Sequence, residues 1–278
     1  MSISNNPVVK LVYNNNGHDY VIGDLHGCYA LLEKLLKQVN FDSRCDRLFS
    51  VGDIVDRGES SFECLKLLSK PWFYAVRGNH EQLMLTFFED YLASGYIDAL
   101  AFDEEEDDSY FLANGGEWVE TYFHRATSKM IKAFDTLLNH VQKLPYILIV
   151  GENENRFNIV HADLLRPKDS SVELLLWTDK DLDKWHEASF IAETHKPNLL
   201  WSRLLIGSGS KVIDTPFYDG LSTTYCGHTI GKYDGELRRI LSHIYLDHGA
   251  YRSENNTSYC LTMINTNTKE VHVAFRRG

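Results

Sequence analysis

Residues 19–39 read DYVIGDLHGCYALLEKLLKQV. A short apolar run closes on Gly23-Asp24. Leu32, Leu35, Leu36 and Val39 then recur at i, i+3, i+4, i+7, the apolar stripe of a helix. A strand that ends in Gly-Asp and turns into a helix predicts the first half of a βαβ unit. The pattern returns twice. RLFSVGD (47–53) is a second apolar run ending in Gly-Asp, followed by SSFECLKLLSK (60–70), where Ser60 and Glu63 predict a capping box. WFYAVRGN (72–79) is the third, followed by the helical pattern EQLMLTFFEDYL (81–92). Strand–helix alternation at this spacing implies βαβ units and a largely parallel arrangement.

Beyond these units the pattern changes. Residues 95–142 carry the acidic run DEEEDD (103–108), read as a solvated loop, and two helical patterns, GEWVETYF (116–123) and ATSKMIKAFDTLLNHVQ (126–142). Strand patterns resume from Pro145: YILIV (146–150), RFNIVHAD (156–163), TTYCGHT (223–229), RILSHIYLDHG (239–249), SYCLTMIN (258–265) and EVHVAF (270–275). The last two flank an Asn/Thr turn and read as a hairpin. Residues 164–222 are expected to be mostly irregular with one helical piece at 180–193. The expected organisation is one domain over 1–278, carrying a helical insertion at 95–142 and an irregular insertion at 164–222.

The formal charge is −11 and the pI about 5.5. A chain that grips long nucleic acid needs a basic face, so no nucleic-acid partner is expected. Five cysteines, odd in number and scattered without a C-x-x-C pair, fit neither a disulfide framework nor a zinc knuckle. MSISNNPVVK has no basic segment followed by an apolar one, and no apolar run approaches the ~20 residues that span a bilayer. The expectation is a soluble cytoplasmic protein without a membrane partner.

The chemistry sits where the apolar runs end. Asp24, His26, Asp53, Asn79, His161 and His228 all follow such ends, and in open α/β sheets ligands bind there. Oxygen and nitrogen donors without thiolate suit manganese, iron, zinc or magnesium. Six donors are too many for one catalytic metal with an open position. They suit two metals sharing one carboxylate, at the ~3.5–4 Å spacing of two-metal hydrolytic sites. Two divalent ions against two carboxylates leave net positive charge, which attracts a phosphate dianion. Taken singly, each motif is weak. An Asp after a strand is more often a cap or turn residue, and a lone histidine such as His140 or His186 is more often surface or core. The weight lies in three Gly-flanked motifs in succession, with 29 residues from Asp24 to Asp53 and 26 from Asp53 to Asn79.

GDLHG, GDIVDRG and GNHE, followed by VHAD and CGHT, resemble the phosphoprotein phosphatase family of two-metal phosphoesterases, in particular its bacteriophage lambda and bacterial serine/threonine branch. The similarity is continuous over residues 21–85. It then survives as islands: HAD at 161–163, WSR at 201–203, GHT at 227–229 and D-x-GA at 247–250. The resemblance implies an α/β (α+β) fold, a central β-sandwich of mixed sheets flanked by helices. It implies Asp24 and His26 on a first metal, Asp53 bridging, and Asn79, His161 and His228 on a second. The ions implied are two divalent ones, manganese first, with iron, zinc or magnesium as alternatives. His80 matches the catalytic histidine and Asp56 the carboxylate that holds it. Arg57, Arg77 and Arg203 match phosphate-binding arginines. Glu81 is expected simply to begin a helix, where a carboxylate complements the dipole. His248 is a departure, standing where that branch has threonine in D-T-G-A. Tyr251 has no assigned role.

The implied reaction is hydrolysis of phosphoserine or phosphothreonine in proteins, with phosphotyrosine a further candidate. Hydroxide bridging the metals attacks phosphorus, and His80 protonates the leaving oxygen. Two alternatives keep the metals: a dinucleoside-polyphosphate (diadenosine tetraphosphate) hydrolase and a nucleotide phosphodiesterase. The former family often lacks the acidic residue before R-G and has G-N-H-D, so Asp56 and Glu81 favour the phosphatase branch. A non-catalytic phosphoprotein-binding module would show a broken ligand set, and here the set is complete.

Overall fold

The computed structural model describes residues 6–94, 110–167, 175–207, 216–252 and 258–276. The acidic run at 103–108 lies outside the described residues, as do parts of both insertions. In chain order the elements are β1 (Val8–Leu11), β2 (Asp19–Ile22), α1 (Tyr29–Gln38), β3 (Arg47–Ser50), α2 (Ser61–Leu65), β4 (Phe73–Ala75), α3 (Asn79–Phe87) and α4 (Glu89–Ser94). Next come α5 (Trp118–His124), α6 (Ser128–Gln142), β5 (Ile147–Val150), β6 (Phe157–Val160), α7 (Asp179–Ala188), α8 (Lys196–Trp201) and α9 (Leu204–Gly207). The chain closes with β7 (Thr224–Cys226), β8 (Arg239–Ile240), β9 (His243–Tyr245), β10 (Leu261–Asn265) and β11 (Val271–Ala274).

The three N-terminal units give β2, β3 and β4 in parallel, with Asp19 opposite Arg47 and Leu48 opposite Phe73. The parallel expectation stops there. The β10–β11 hairpin adds antiparallel to β2, so the five-stranded sheet runs β11-β10-β2-β3-β4 and is mixed. The six-stranded sheet, β1-β5-β6-β7-β9-β8, is mixed as well. Its β1 was not foreseen, because VVKL is a bare four-residue run without clear alternation.

The two sheets face each other, and period-two alternation decides which side chains meet. Val21, Phe49, Leu148, Ile159, Tyr225 and Ile264 fill the space between them. Their neighbours Tyr20, Ile22 and Leu48 point outward onto a core shared with Leu32 and Leu35 of α1, Met84 of α3 and Phe134 of α6. On the other outer face Ile147, Ile149 and Val160 pack with Leu182 of α7 and Leu199 of α8. Each fully buried side chain of this size contributes about 1.5–3 kcal/mol.

Three local expectations change. Ser60 makes no side-chain cap for α2; Ser61 Oγ instead accepts the Asp56 N–H at 2.9 Å. The single strand expected over 239–249 is the hairpin β8–β9, whose turn residues Leu241 and Ser242 have φ of 45° and 71°. That turn normally calls for Asn-Gly. Here Ser242 Oγ compensates, donating to Leu221 O at 2.8 Å and accepting the Tyr218 N–H at 3.0 Å. The 164–222 insertion holds α7, α8 and α9 rather than one helix. Among the described residues no helix is long and apolar enough to cross a membrane.

The topology places the chemistry. Because β2, β3 and β4 are parallel, Asp24, Asp53 and Asn79 all leave the same end of their sheet. β6 and β7, also parallel, deliver His161 and His228 to the same place from the facing sheet.

Candidate metal centre and catalytic site

Five side chains here sit on left-handed backbone that non-glycine residues rarely adopt: His26, Asp53, Asp56, Arg57 and His228, with φ of 40°, 47°, 73°, 68° and 65°. Each costs about 1–3 kcal/mol and persists only when its surroundings hold it. The first two loops are laced together by His26 N–H to Asp53 O at 2.8 Å and Gly27 N–H to Ile54 O at 2.9 Å. His80 N–H donates to Asp53 Oδ1 at 3.0 Å. His228 N–H reaches both Asp24 oxygens, at 3.1 and 3.3 Å. The approach is too close for any Cβ at Gly227, which would lie 1.9 Å from Asp24 Oδ1.

The donor atoms converge with their lone pairs exposed to each other. His161 Nδ1 donates to Val51 O at 2.9 Å, leaving Nε2 bare, 2.8 Å from Asn79 Oδ1 and 3.4 Å from Asp53 Oδ2. His228 Nδ1 lies 2.9 Å from the same Asn79 oxygen. His26 Nδ1 donates to Val55 O at 2.9 Å, so its Nε2 is bare too, 3.6 Å from Asp53 Oδ2. Burial holds His26 well below the usual imidazole range, His161 down at about 4 and His228 at about 2; His26 and His161 spend their one N–H on backbone carbonyls, so no proton separates His161 Nε2 from the oxygens it faces. Bare acceptors at hydrogen-bond distance call for a cation. The donors of Asp53, His161 and His228 lie within 4.8 Å of one another, as do those of His26, Asp53 and His80, and Asp53 belongs to both groups. The Arg57 guanidinium, itself a cation, rests against the bare His26 Nε2 at 2.8 Å. The residues fit a divalent metal site.

Asp247, which ends the apolar run RILSHIYL and opens the D-x-GA island, carries no role in the sequence reading. It is buried beside the centre, accepts the Gly249 N–H at 2.9 Å, and its charge helps burial to raise the Asp24 carboxyl well above its ordinary value. Asp247 thus adds a buried carboxylate beside Asp24 and Asp53, and Arg57 and Arg203 oppose its charge.

His80 lies against Asp56. Its Nδ1 lies 2.7 Å from Asp56 Oδ2. Burial pushes Asp56 up to about 8 and lowers His80. The other Asp56 oxygen accepts the Trp118 indole N–H at 2.8 Å. Trp118 comes from the helical insertion and was not singled out. The cavity above, about 270 Å³, is lined by Asp53, Asn79, His80, His228, Arg57 and Arg203 together with Tyr251. Tyr251 meets the His26 ring edge-on at 5.3 Å and lies 4.9 Å from the Arg57 guanidinium.

The arginines divide. Arg203 donates to His228 O at 2.9 Å and faces the cavity. Ser202 Oγ and Leu205 N–H, on either side of it, are anchored on Asp163 Oδ2 at 2.7 and 3.3 Å. Arg77 is not brought to the cavity. Its guanidinium bonds Gln82 Oε1 at 3.1 Å, Tyr146 OH at 3.3 Å and Gln142 O at 2.7 Å, 5.0 Å from the Tyr146 ring centre. It joins the β4 end to the α6–β5 connection, where its N–H also bonds Pro145 O at 2.7 Å. Glu81 does begin α3, but it does more, as its hydrogen bonds to the Asp53 loop show. His248 points away, its Nδ1 2.8 Å from Thr262 Oγ1 on β10.

Residues 20–272 match the family described as calcineurin-like phosphoesterase. The chain is 32% identical over 239 residues to serine/threonine-protein phosphatase 2 of Salmonella typhimurium, covering 86% of this chain and 90% of that one. It is 31% identical to a symmetrical bis(5'-nucleosyl)-tetraphosphatase of Actinobacillus succinogenes, over 52% of this chain and 44% of that one. A solved serine/threonine phosphatase from Saccharomyces cerevisiae superposes with a TM-score of 0.59 at 16% identity, over 98% of this chain and 84% of that one, a likeness of fold. With its paired mixed sheets and its convergent Asp, Asn and His donors, this chain belongs to the calcineurin-like phosphoesterase family.

Proposed function

We propose that the protein removes phosphate from phosphoserine and phosphothreonine in proteins. In this reading Asp24, His26, Asp53, Asn79, His161 and His228 hold two divalent ions, manganese first as the family resemblance implies, with iron, zinc or magnesium also suited to such oxygen and nitrogen donors. Once bound, the ions would neutralise phosphate charge and lower the pKa of a water towards 7. The chain's residues do the rest. Arg57 and Arg203 flank the small cavity and clamp the phosphate oxygens by charge-assisted hydrogen bonds. His80 gives the Nε2 proton to the leaving oxygen while Asp56 holds Nδ1. Tyr251 walls the Arg57 side and restricts its swing.

The observation that carries this reading is the buried His80–Asp56 pair opening into a cavity between two arginines. A serine alkoxide is a poor leaving group and needs such a donor. Dinucleoside-polyphosphate hydrolysis is the second reading. It is favoured by likeness to the tetraphosphatase, over about half of each chain, whereas the phosphatase likeness runs nearly end to end. The experiment is a metal-replete panel of phosphoserine, phosphothreonine and phosphotyrosine peptides, diadenosine tetraphosphate and a bis-aryl phosphodiester. The phosphoserine and phosphothreonine peptides should give the highest kcat/KM. A higher value on diadenosine tetraphosphate overturns the proposal.

A further inference from the structure

Asp56 is fully buried on left-handed backbone, and three elements hold it. Ser61 Oγ takes its N–H at 2.9 Å, His80 Nδ1 meets Oδ2 at 2.7 Å, and the Trp118 indole donates to Oδ1 at 2.8 Å. The third comes from a segment 62 residues away. The same segment grips the next residue: Gly115 O accepts the Arg57 N–H at 3.1 Å. Gly115 has φ +100°, and a Cβ there would lie 2.7 Å from Arg57 N. Asp56 and Arg57 are thus both clamped from the helical insertion.

We propose that Trp118 is a positioning residue for the acid, fixing the Asp56 carboxylate so that its second oxygen stays in line with His80. An indole N–H can donate and never accept. It can therefore hold a carboxylate oxygen in one role, where a hydroxyl or an imidazole could reverse its own. With Oδ1 fixed, the carboxylate cannot rotate about its Cβ–Cγ bond, and Oδ2 is kept facing Nδ1. The ring packs at the edge of the α1–α3–α6 core, 6.4 Å from Phe134 on α6. The insertion, absent from the motifs that mark the site, thereby becomes part of how well His80 delivers its proton.

This inference rests on the phosphomonoesterase reading for its kinetic test, but not for its spectroscopic one. Trp118→Phe keeps the ring and removes the donor. Expected is a kcat on a phosphoserine peptide lower by about 10-fold, a fraction of a full general-acid contribution. On para-nitrophenyl phosphate, whose leaving group hardly needs a proton, kcat should change by less than about 2-fold, with KM and metal content unchanged on both. Added to Asp56→Asn, the change should cost nothing further, because the two act as one unit. The independent measurement is the indole N–H spectrum of the metal-loaded protein, which has five tryptophans. Asp56→Asn should move the Trp118 resonance, assigned by its disappearance in Trp118→Phe or, should that variant not fold, in Trp118→Tyr. Equal losses on the two substrates, or a Trp118 resonance that Asp56→Asn leaves in place, overturn the proposal. Should the wild type turn over no phosphomonoester, the functional reading fails while the spectrum still decides the role of Trp118.

Discussion

Glu81 reaches out of the first turn of α3 and accepts the main-chain N–H of Asp53 at 2.9 Å, through a sequence separation of 28 residues. The same carboxylate takes Ile54 N–H at 2.7 Å and Gly78 N–H at 2.8 Å. Three buried donors thus depend on one acceptor, and the central one belongs to the carboxylate shared by both metal groups. An unsatisfied buried donor costs about 1–3 kcal/mol, so Glu81→Ala should lower stability by about 3 kcal/mol or more and weaken metal binding. Glu81→Gln, with one acceptor oxygen left, should fall between. Urea denaturation and calorimetric titration with Mn²⁺ check this. A Glu81→Ala protein as stable as wild type would reduce Glu81 to a helix-start residue.

His80→Asn should leave metal content nearly intact, because the six proposed ligands remain, and should lower turnover of alkyl phosphates by ~10²–10⁴-fold. The loss on an aryl phosphate should be smaller. Equal losses would count against His80 as the proton donor.

Arg57 and Arg203 face the cavity and Arg77 does not, and the three should separate kinetically. Arg57→Ala and Arg203→Ala each remove a charge-assisted contact worth about 1.5–3 kcal/mol, or roughly 10–100-fold in kcat/KM. Arg77→Ala should spare kcat/KM while lowering the thermal midpoint, since it loses Gln82, Tyr146 and Gln142. Steady-state kinetics beside thermal melts decide it. A large kinetic loss without destabilisation in Arg77→Ala would return that residue to the phosphate.

These three cases show what the sequence could carry. Gly-Asp after an apolar run is local, and parallel pairing of β2, β3 and β4 follows from the spacing. The convergence of Asp24, Asp53 and Asn79 could therefore be read without coordinates. Side-chain direction could not. Arg77 stands one residue before Gly78, yet it turns toward Tyr146 and Gln142 because its backbone is tied to Pro145. Glu81 was legible as a helix start, but its contact with the Asp53 loop depends on β3 and β4 lying side by side. Trp118 was invisible for the same reason: a tryptophan in an amphipathic pattern reads as core, and nothing near it in sequence names Asp56. Asp247 is legible as the acidic end of a strand, but its place beside Asp24 depends on β9 lying next to β7 across the facing sheet.

The buried centre also fixes how pH and metal should interact. In the metal-free fold burial raises the carboxyls of Asp24, Asp53 and Asp247, so their folded values exceed their unfolded ones. Their contribution to stability is full below the unfolded carboxylate value and is lost as pH rises through the raised folded values. The histidines run the other way. His26, His161 and His228 are lowered by burial, His161 to about 4, so their contribution is present above the unfolded imidazole value and lost as pH falls through the folded ones. Metal binding needs ionised carboxylates and bare imidazoles. The lowered histidines are already bare at about pH 6, so rising pH supplies the ionised carboxylates and removes the protons that stabilise the metal-free competitor. The rise in thermal midpoint produced by a fixed Mn²⁺ concentration should therefore be larger at about pH 8 than at about pH 6, with protons released on binding. Melts with and without metal at the two pH values, and titrations in buffers of different ionisation enthalpy, measure the two effects separately. A shift that is equal at both pH values, with no proton release, would mean that the ion binds away from these six donors.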